Sequence, residues 1–188
     1  MPRLSFRALG PKEWNDLEEL FGPRGACGGC WCMWWRLPRP AFNAGKGDGN
    51  RRAMKRLVDA GKVPGILAYE GERAVGWCSV APRADFGGLA RSRVLAPVDD
   101  TPAWSVTCFF VAKDRRHAGV TGELLEAAVR YAKSKGARIV EGYPVEPGEG
   151  GTADAFAWTG LASVFRRAGF TEAARRSARR AVYRKAVW

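Results

Sequence analysis

The segment FFVAKDRRHAGVTGELL, residues 109–125, has the composition of an anion-binding turn. An uncharged run that favours a buried strand leads into a short basic loop containing Arg116 and His117, and a helix follows. The first N–H groups of a helix have no partner within it, and the helix dipole adds positive charge there. Gly119 lets a ligand come close to the backbone. The pattern predicts a pyrophosphate bound by Arg116 and by the amides from about His117 to Gly122.

These residue types do not name the ligand by themselves. An ordinary strand, loop and helix with solvated arginines is equally consistent with the residues of this segment. No GKS or GKT follows the strand, which excludes a Walker loop, and GVTGELL lacks the GxGxxG spacing of a dinucleotide-binding turn. The residues therefore favour a phosphate ligand and leave its identity open.

A second segment with chemical potential is the motif C-x-x-C-x-C at Cys27, Cys30 and Cys32. It offers three soft ligands, and Cys78 or Cys108 would complete a zinc site. There is no second C-x-x-C, and the last two cysteines lie in predicted buried strands, so we expect no bound metal. An odd count of cysteines and a first segment without an apolar leader pattern predict reduced thiols and a cytoplasmic location.

Hydrophobic periodicity and turn residues predict the elements that position these segments. Strands are predicted over residues 4–8, 66–70, 74–80, 104–112, 138–143 and 181–188. Helices are predicted over residues 12–21, 50–60, 119–135 and 161–168. Long loops are predicted over 81–102 and at PVEPGEGG, residues 144–151. This order predicts an α/β (α+β) fold in which helices pack on a mixed sheet, and the length of 188 residues predicts a single domain over 1–188.

On these motifs the chain resembles the GNAT superfamily of N-acetyltransferases, whose cofactor motif V-x-P-x-Y-R-x-x-G-x-G/A follows the fourth strand. The matching positions are Val111, Arg116 and Gly119; the departures are Lys113 for Pro, Arg115 for Tyr and Thr121 for the last Gly or Ala. Residues 163–170, SVFRRAGF, are similar to a later family motif, typically LYEKLGF. The order of elements agrees from residue 3 onward.

The resemblance implies a mostly antiparallel mixed sheet that is splayed between strands 4 and 5, with acetyl-CoA as co-substrate in the cleft. The pantetheine arm would pair with the fourth strand and the pyrophosphate would lie on the following turn. The implied cofactor-binding residues are Phe109, Phe110, Val111, Arg116, His117, Ala118, Gly119, Val120, Thr121 and Phe165. Phe165 stands where many relatives carry a tyrosine that protonates the departing thiolate, so either another group does this or the thiolate leaves unaided.

The implied reaction is direct attack of an amine on the thioester, which needs a base and an acid. Glu141 and Tyr143 are separated by Gly142, so their side chains share one face of the fifth predicted strand, beside the cleft. We therefore predict Glu141 as the base and Tyr143 as the acid. The alternatives are a solvated surface glutamate and a core tyrosine.

In this fold the loop between the first two helices commonly lines the acceptor end of the cleft. Trp31, Trp34 and Trp35 would supply a flat apolar wall for a small-molecule or peptide amine, or they complete the core beneath the loop. The loop over 81–102 would form the opposite wall, where Asp99 and Asp100 would hold a cationic amine. The resemblance leaves the acceptor, the acyl chain and a homodimer open.

The 31 basic and 19 acidic residues give a net charge of +12, which favours an anionic partner such as the phosphates of CoA. Six bases lie within residues 175–185, and an RNA-associated protein is one alternative function. We do not expect nucleic-acid binding, since an arginine-rich composition explains the charge. A non-catalytic acyl-CoA sensor is the other alternative, favoured by Phe165. The longest stretch without a charge, 101–112, is too short to span a membrane.

Overall fold

The computed structural model describes residues 3–147 and 157–188. The strands are β1 (Ser5–Ala8), β2 (Gly65–Glu70), β3 (Arg73–Pro82), β4 (Trp104–Val111), β5 (Ile139–Gly142), β6 (Thr171–Arg175) and β7 (Ala181–Ala186). The α-helices are α1 (Trp14–Phe21), α2 (Arg39–Ala44), α3 (Asp48–Asp59), α4 (Gly87–Ala90), α5 (Val120–Ser134) and α6 (Ala162–Arg167). Short 3₁₀ turns cover Pro11–Glu13, Arg83–Asp85 and Lys113–Arg115.

The strands form one mixed sheet in the order β1-β2-β3-β4-β5-β7-β6. Every neighbouring pair is antiparallel except β4 and β5, which run parallel. These two strands pair only from Trp104↔Val140 to Val106↔Gly142, after which β4 continues to Val111 paired with β3. The predicted sheet with a splay between its fourth and fifth strands is therefore confirmed.

The splay begins at a β-bulge in β4. Ser79 pairs with Cys108 whereas the next residue, Val80, pairs with Val106, so Thr107 is an extra residue in β4. A bulge bends its strand and increases the local twist. Because Thr107 directly follows the last residue paired with β5, the bulge turns the free half of β4 away from its neighbour. The Thr107 hydroxyl donates to Ser79 Oγ at 3.2 Å, which satisfies two buried polar groups.

Helices cover both faces of the sheet. On one face the apolar stripe of α5, including Val120, Leu124 and Ala128, packs with Val106 and Phe109. On the other face α1 and α3 cover β2 and β3. Next to them, the segment after β3 covers the ends of β5 and β7 in a smaller cluster of Ala81, Phe86, Leu89, Leu95, Tyr143 and Val182. The two faces meet at the splay.

Three parts of the fold differ from the sequence prediction. The short helix α2 was not predicted, because only Phe42 of its six residues is buried and no periodic stripe results. The edge strand β6 was missed for a similar reason, since its side chains are almost all exposed and do not alternate. β3 extends to Pro82, and the predicted loop after it contains α4. The predicted loop 144–151 lies outside the described residues from position 148.

Within residues 3–147 and 157–188, no helix has the length and apolar character needed to cross a membrane.

Candidate functional site

The turn between β4 and α5 gathers the predicted phosphate-binding residues in one place. His117 and Gly119 adopt left-handed backbone angles, with φ of 61° and 80°, and α5 starts at Val120 with Gly119 as its N-cap. The N–H groups of Gly122 and Glu123 bond to the carbonyl of Gly119, at 2.9 and 3.4 Å. Helical hydrogen bonding thus starts at Gly122, the third residue of α5. The N–H groups before it lie at the N-terminal end of the helix, which is the end where helices bind anions.

The two arginines of this turn have different surroundings. Arg115 forms an ion pair with Glu70 of β2, with Nε 2.8 Å from the carboxylate. Arg116 is exposed, and its Nε donates to the carbonyl of Val111 at 3.4 Å. Arg115 therefore ties the turn to the sheet, whereas Arg116 is exposed on the surface of the turn. The residue types alone did not distinguish these two roles.

A second ion pair fixes the start of the turn to the β2–β3 hairpin. Arg73 donates to both carboxylate oxygens of Asp114, at 2.8 and 3.1 Å. This hydrogen bonding lowers the pKa of Asp114 to about 2. The turn is thus held by charged contacts on its β4 side, before the residues that would meet a ligand.

The free half of β4 carries the predicted pantetheine-pairing residues Phe109, Phe110 and Val111. Phe109 points to the α5 face and Phe110 to the α1 face, where its ring lies 5.5 Å from that of Phe21. The N–H of Phe109 donates to the carbonyl of Trp158 at 2.7 Å. The backbone edge that would receive the cofactor is therefore in contact with another segment of the chain.

That segment, residues 157–161, lies in the opening between β4 and β5. The N–H of Val145, just after β5, donates to the carbonyl of Gly160 at 2.9 Å, and Ala162 N–H donates to Val145 at 3.1 Å. Through Trp158 and Gly160 the segment thus links β4 to the continuation of β5. Sequence reasoning did not identify Trp158, and no local signal could have found it, since it is one aromatic residue beside a Pro/Gly-rich stretch.

Phe165 is fully buried on the α5 side of the splay. Its ring lies 5.0 Å from Phe170 and 6.2 Å from Phe109. It packs so closely on Gly142 and Gly160 that a Cβ at either position would lie under 3 Å from the ring. Phe165 is a core residue here, and its predicted cofactor contact stays a prediction.

Glu141 and Tyr143 share one face of the strand, as predicted, and both are fully buried. The Tyr143 hydroxyl donates to Glu141 Oε1 at 2.6 Å and lies 2.7 Å from Ser105 Oγ. Arg83 contacts the same Oε1, and Arg184 Nε donates to Oε2 at 3.0 Å. Burial, followed by the charge of Glu141, raises the pKa of Tyr143 well above its ordinary value.

The surroundings of the pair bear on the structural alternatives considered for the two residues. A solvated surface glutamate is wrong, because Glu141 holds two guanidinium groups in the interior. Tyr143 is a core tyrosine, and its raised pKa keeps its proton in place at neutral pH. The catalytic roles of both residues stay predictions.

The predicted tryptophan wall divides into two parts. Trp31 is buried in the core, 6.1 Å from Trp14 and 5.5 Å from Phe21 between ring centres. Trp34 and Trp35 are half-buried, and their rings lie 6.5 and 6.1 Å from that of Trp158. Trp34, Trp35 and Trp158, here called the tryptophan cluster, therefore border the splay on the α1 face.

Two arginines lie on the tryptophan cluster. The Arg39 guanidinium is 3.8 Å from the ring centre of Trp34, and that of Arg180 is 5.8 Å from Trp158. On the opposite side, Asp99 is ion-paired with Arg184 at 2.7 Å, so its carboxylate already has a cationic partner. The cluster thus presents aromatic and cationic surface.

The structure separates the cysteines that sequence reasoning grouped together. Cys78 packs on the α5 face, whereas Cys32 and Cys108 meet on the α1 face with their sulfur atoms 3.1 Å apart. In the described part of the chain, no three His, Cys, Asp or Glu side chains are grouped as a metal site would require.

The basic run of residues 175–185 covers the end of β6, a turn and most of β7. Arg175 pairs with Glu172, Arg176 donates to the carbonyls of Ala96 and Pro97, and Lys185 donates to the carbonyl of Ala168. These three basic side chains are thus held in contacts within the protein.

Comparison with known proteins identifies the family of the chain. Residues 31–148 match the model of the acetyltransferase (GNAT) family. No curated protein matches the sequence of the chain.

Solved structures share the fold at low sequence identity. A GNAT-family acetyltransferase from Listeria monocytogenes is 12% identical with a TM-score of 0.59, over 98% of this chain and 95% of that one. One from Bacillus cereus is 11% identical with a TM-score of 0.57, over 99% of both chains. The PaiA N-acetyltransferase from Thermoplasma acidophilum, solved with coenzyme A, is 12% identical with a TM-score of 0.53, over 98% and 99%.

Proposed function

Because this chain belongs to the acetyltransferase (GNAT) family, we propose that residues 1–188 form one acetyl-CoA-dependent N-acetyltransferase domain that acts on a primary amine. The observation that carries the proposal is the junction of two features. The half of β4 that does not pair with β5 runs directly into the N-terminal turn of α5. One provides a backbone edge for a linear arm and the other provides amides and a cation for phosphates. The Thermoplasma neighbour, whose structure contains coenzyme A, supports this class of ligand.

The residues of the turn fit a diphosphate. The Arg116 guanidinium and the first amides of α5, at Val120 and Thr121, would hold it, because both offer positive charge and N–H donors to anionic oxygens. Gly119 is suited to its place since its φ of 80° is unfavourable for residues with a side chain. The net charge of +12 favours approach of an anionic ligand.

The edge of β4 at Phe109–Val111 fits the amide groups of a pantetheine arm, which would add to it as a further strand. When bound, acetyl-CoA supplies an activated thioester carbonyl. In this site the Phe109 N–H is the donor that would polarise such a carbonyl, once it is released by Trp158. The bulge at Thr107 supports this role because it turns this part of β4 away from β5.

Glu141 and Tyr143 remain our proposed base and acid. Tyr143 is protonated at neutral pH, as a general acid must be, and its raised pKa makes it a weaker acid than an ordinary tyrosine. The contacts of Glu141 with Arg83 and Arg184 equally support a role in holding β5, β7 and the segment after β3 together. Kinetic and stability measurements on the same variants separate the two roles.

For the acceptor we propose a small-molecule or peptide amine bound against Trp34 and Trp35. Trp31 would act from the core, by supporting the loop that carries both. The reduced state of all five cysteines supports a cytoplasmic location.

The first test is thermal unfolding with and without acetyl-CoA and CoA. A ligand at a hundred times its Kd stabilises a protein by about 2.7 kcal/mol, which gives a clear rise in Tm. Arg116→Ala should reduce this rise to about half or less. Lys113→Ala removes an equal charge from the same turn and serves as the matched control. No rise for the unaltered protein at millimolar acetyl-CoA would refute the proposal.

The alternative functions give different results. A non-catalytic acyl-CoA sensor would show the rise in Tm but release no thiol with any amine of a broad panel. An RNA-associated protein would show a salt-dependent affinity for nucleic acid that is lowered by substitutions in residues 175–185.

A further inference from the structure

The motif C-x-x-C-x-C has no part in the proposed acetyl transfer, yet the structure gives its last cysteine a specific neighbour. Cys32 Sγ lies 3.1 Å from Cys108 Sγ, although the two residues are 76 positions apart. A disulfide bond is about 2.05 Å long, so the two sulfur atoms would need to approach by about 1 Å. Both residues are buried, with 6% and 9% of their surface exposed.

The loop around Cys32 holds the sulfur in this position. Trp31 and Cys32 both have left-handed backbone angles, with φ of 45° and 54°, which non-glycine residues rarely adopt. Hydrogen bonds from Trp31 N–H to Gly25 and from Met33 N–H to Cys30, at 3.2 and 2.9 Å, maintain this turn. Strained backbone of this kind persists where the surrounding structure imposes it.

A third group completes the surroundings of the pair. The indole Nε1–H of Trp77 donates to Cys32 Sγ at 3.1 Å. A hydrogen bond to sulfur favours the thiolate, which is the form that reacts with oxidants. Cys32 therefore has both an activating donor and a second thiol within reach.

The remaining cysteines are poorer partners. Cys78 lies on the opposite face of the sheet, and Cys27 is exposed on the surface of the loop. The thiol of Cys30 also contacts that of Cys32, but it donates to the carbonyl of Gly25 at 3.7 Å, and the two residues are only two positions apart. Cys108 is the partner that the fold places opposite Cys32.

We propose that Cys32 and Cys108 form a redox modification site, in which peroxide converts the two thiols to a disulfide. The thiolate of Cys32 attacks one peroxide oxygen, the O–O bond breaks, and a sulfenic acid and water result. The Cys108 thiol then attacks that sulfur, and a second water leaves as the S–S bond forms. Two thiols lose two electrons and one hydrogen peroxide is reduced to two water molecules, so the step is balanced.

The reaction should be slow without a catalyst. The contact with Cys108 and burial raise the pKa of the Cys32 thiol well above its ordinary value, which keeps the thiolate scarce at neutral pH. Oxidation is therefore expected over a long exposure to excess peroxide. A dithiol should reverse it.

The bond would connect two parts of the proposed site, although the proposal does not depend on the acetyltransferase activity. Cys108 directly precedes Phe109, and Cys32 belongs to the segment that carries Trp34 and Trp35. A covalent link would tie that segment to β4. It would also close a long loop, which lowers the entropy of the unfolded chain and should raise Tm.

The test uses the full chain with hydrogen peroxide, followed by peptide mapping without reductant. We expect one linked pair of peptides containing Cys32 and Cys108, five free thiols before treatment and three after it. Dithiothreitol should restore all five and remove the gain in Tm. Cys78→Ser is the matched control, as it removes a buried thiol from the other face and should leave the Cys32–Cys108 link intact.

Several cysteine variants are used, so that the proposal can still be tested if one substitution disturbs folding. Cys108→Ala and Cys32→Ser should each abolish the link. The double variant Cys27→Ser/Cys30→Ser leaves the proposed pair in place and should fall from three free thiols to one. Retention of all five thiols in the unaltered protein, or a link between any other two cysteines, would overturn the proposal.

Discussion

The backbone N–H of Phe109 donates a 2.7 Å hydrogen bond to the carbonyl oxygen of Trp158 across the opening between β4 and β5. This joins the strand edge that we propose for the acyl donor to a segment that also contacts the continuation of β5. A cofactor that uses the same N–H must first displace Trp158. The indole of Trp158 stabilises the contact through Trp34 and Trp35.

Replacing Trp158 should therefore favour cofactor binding. Trp158→Ala removes its ring contacts with Trp34 and Trp35, each worth about 0.5–1.5 kcal/mol, so the segment is easier to displace. We expect the Kd for acetyl-CoA to fall roughly fivefold, measured by isothermal titration calorimetry.

The control for this variant is Trp104→Ala, which removes a half-buried tryptophan that contacts Tyr131 on the α5 face. Its Kd should stay unchanged. An equal or weaker affinity of the Trp158 variant would show that the indole does not oppose binding.

The two arginines of the β4–α5 turn should differ in their effects. Arg116→Ala should weaken acetyl-CoA binding by roughly 10- to 100-fold, since a hydrogen bond to a charged group contributes about 1.5–3 kcal/mol. Arg115→Ala should lower Tm first, because it breaks the ion pair with Glu70. Titration calorimetry and thermal unfolding measure the two effects.

This prediction fails if the two variants lose affinity and stability in the same proportion. The affinity of the unaltered protein should also decrease as salt rises. That dependence should be smaller in Arg116→Ala, because one contact with a phosphate is lost.

Neutralising Glu141 should destabilise the fold. Glu141→Gln leaves Arg83 and Arg184 without their shared carboxylate, and breaking a buried ion pair costs about 3–5 kcal/mol. Urea unfolding measures the loss. Tyr143→Phe removes one hydroxyl from the same cluster and should cost less, about 1–3 kcal/mol.

Kinetics on the same two variants test catalysis. If Glu141 is the base, kcat of the folded variant falls by about 10²-fold or more at an unchanged Kd for acetyl-CoA. A large loss of stability with normal kcat would assign Glu141 to structure alone.

The pKa of Asp114 should show whether Arg73 still holds the β4–α5 turn. In the folded chain Arg73 lowers this pKa to about 2, below the ordinary value of about 3.9. A lowered pKa contributes stability that is present above pH 3.9 and is lost as the pH falls towards 2. Carboxyl NMR titration should find the low value, and Arg73→Ala should raise it towards 3.9.

Arg7→Ala is the matched control for that titration, since it breaks a comparable exposed pair with Glu72 and lies away from Asp114. Its Asp114 pKa should remain low. An ordinary pKa in the unaltered protein would contradict the contact between Arg73 and Asp114.

Local patterns in the sequence were enough for much of the fold. The run 104–112 and the stripe of α5 predicted the strand and helix on either side of the turn. The splay itself came from resemblance to a family, because no spacing within β4 states where its pairing with β5 ends. The weakly patterned α2 and β6 were missed.

The candidate site shows the same division. The sequence by itself determined the basic turn after β4 and the shared strand face of Glu141 and Tyr143, since both follow from contacts between residues close in the chain. Only the tertiary structure decided that Glu141 is held by Arg83 and Arg184, that Trp31 is core, that Trp158 reaches Phe109 and that Cys32 meets Cys108. Those contacts join residues far apart in sequence, and they depend on how distant strands pair and which face each loop covers, which local residue spacing does not specify.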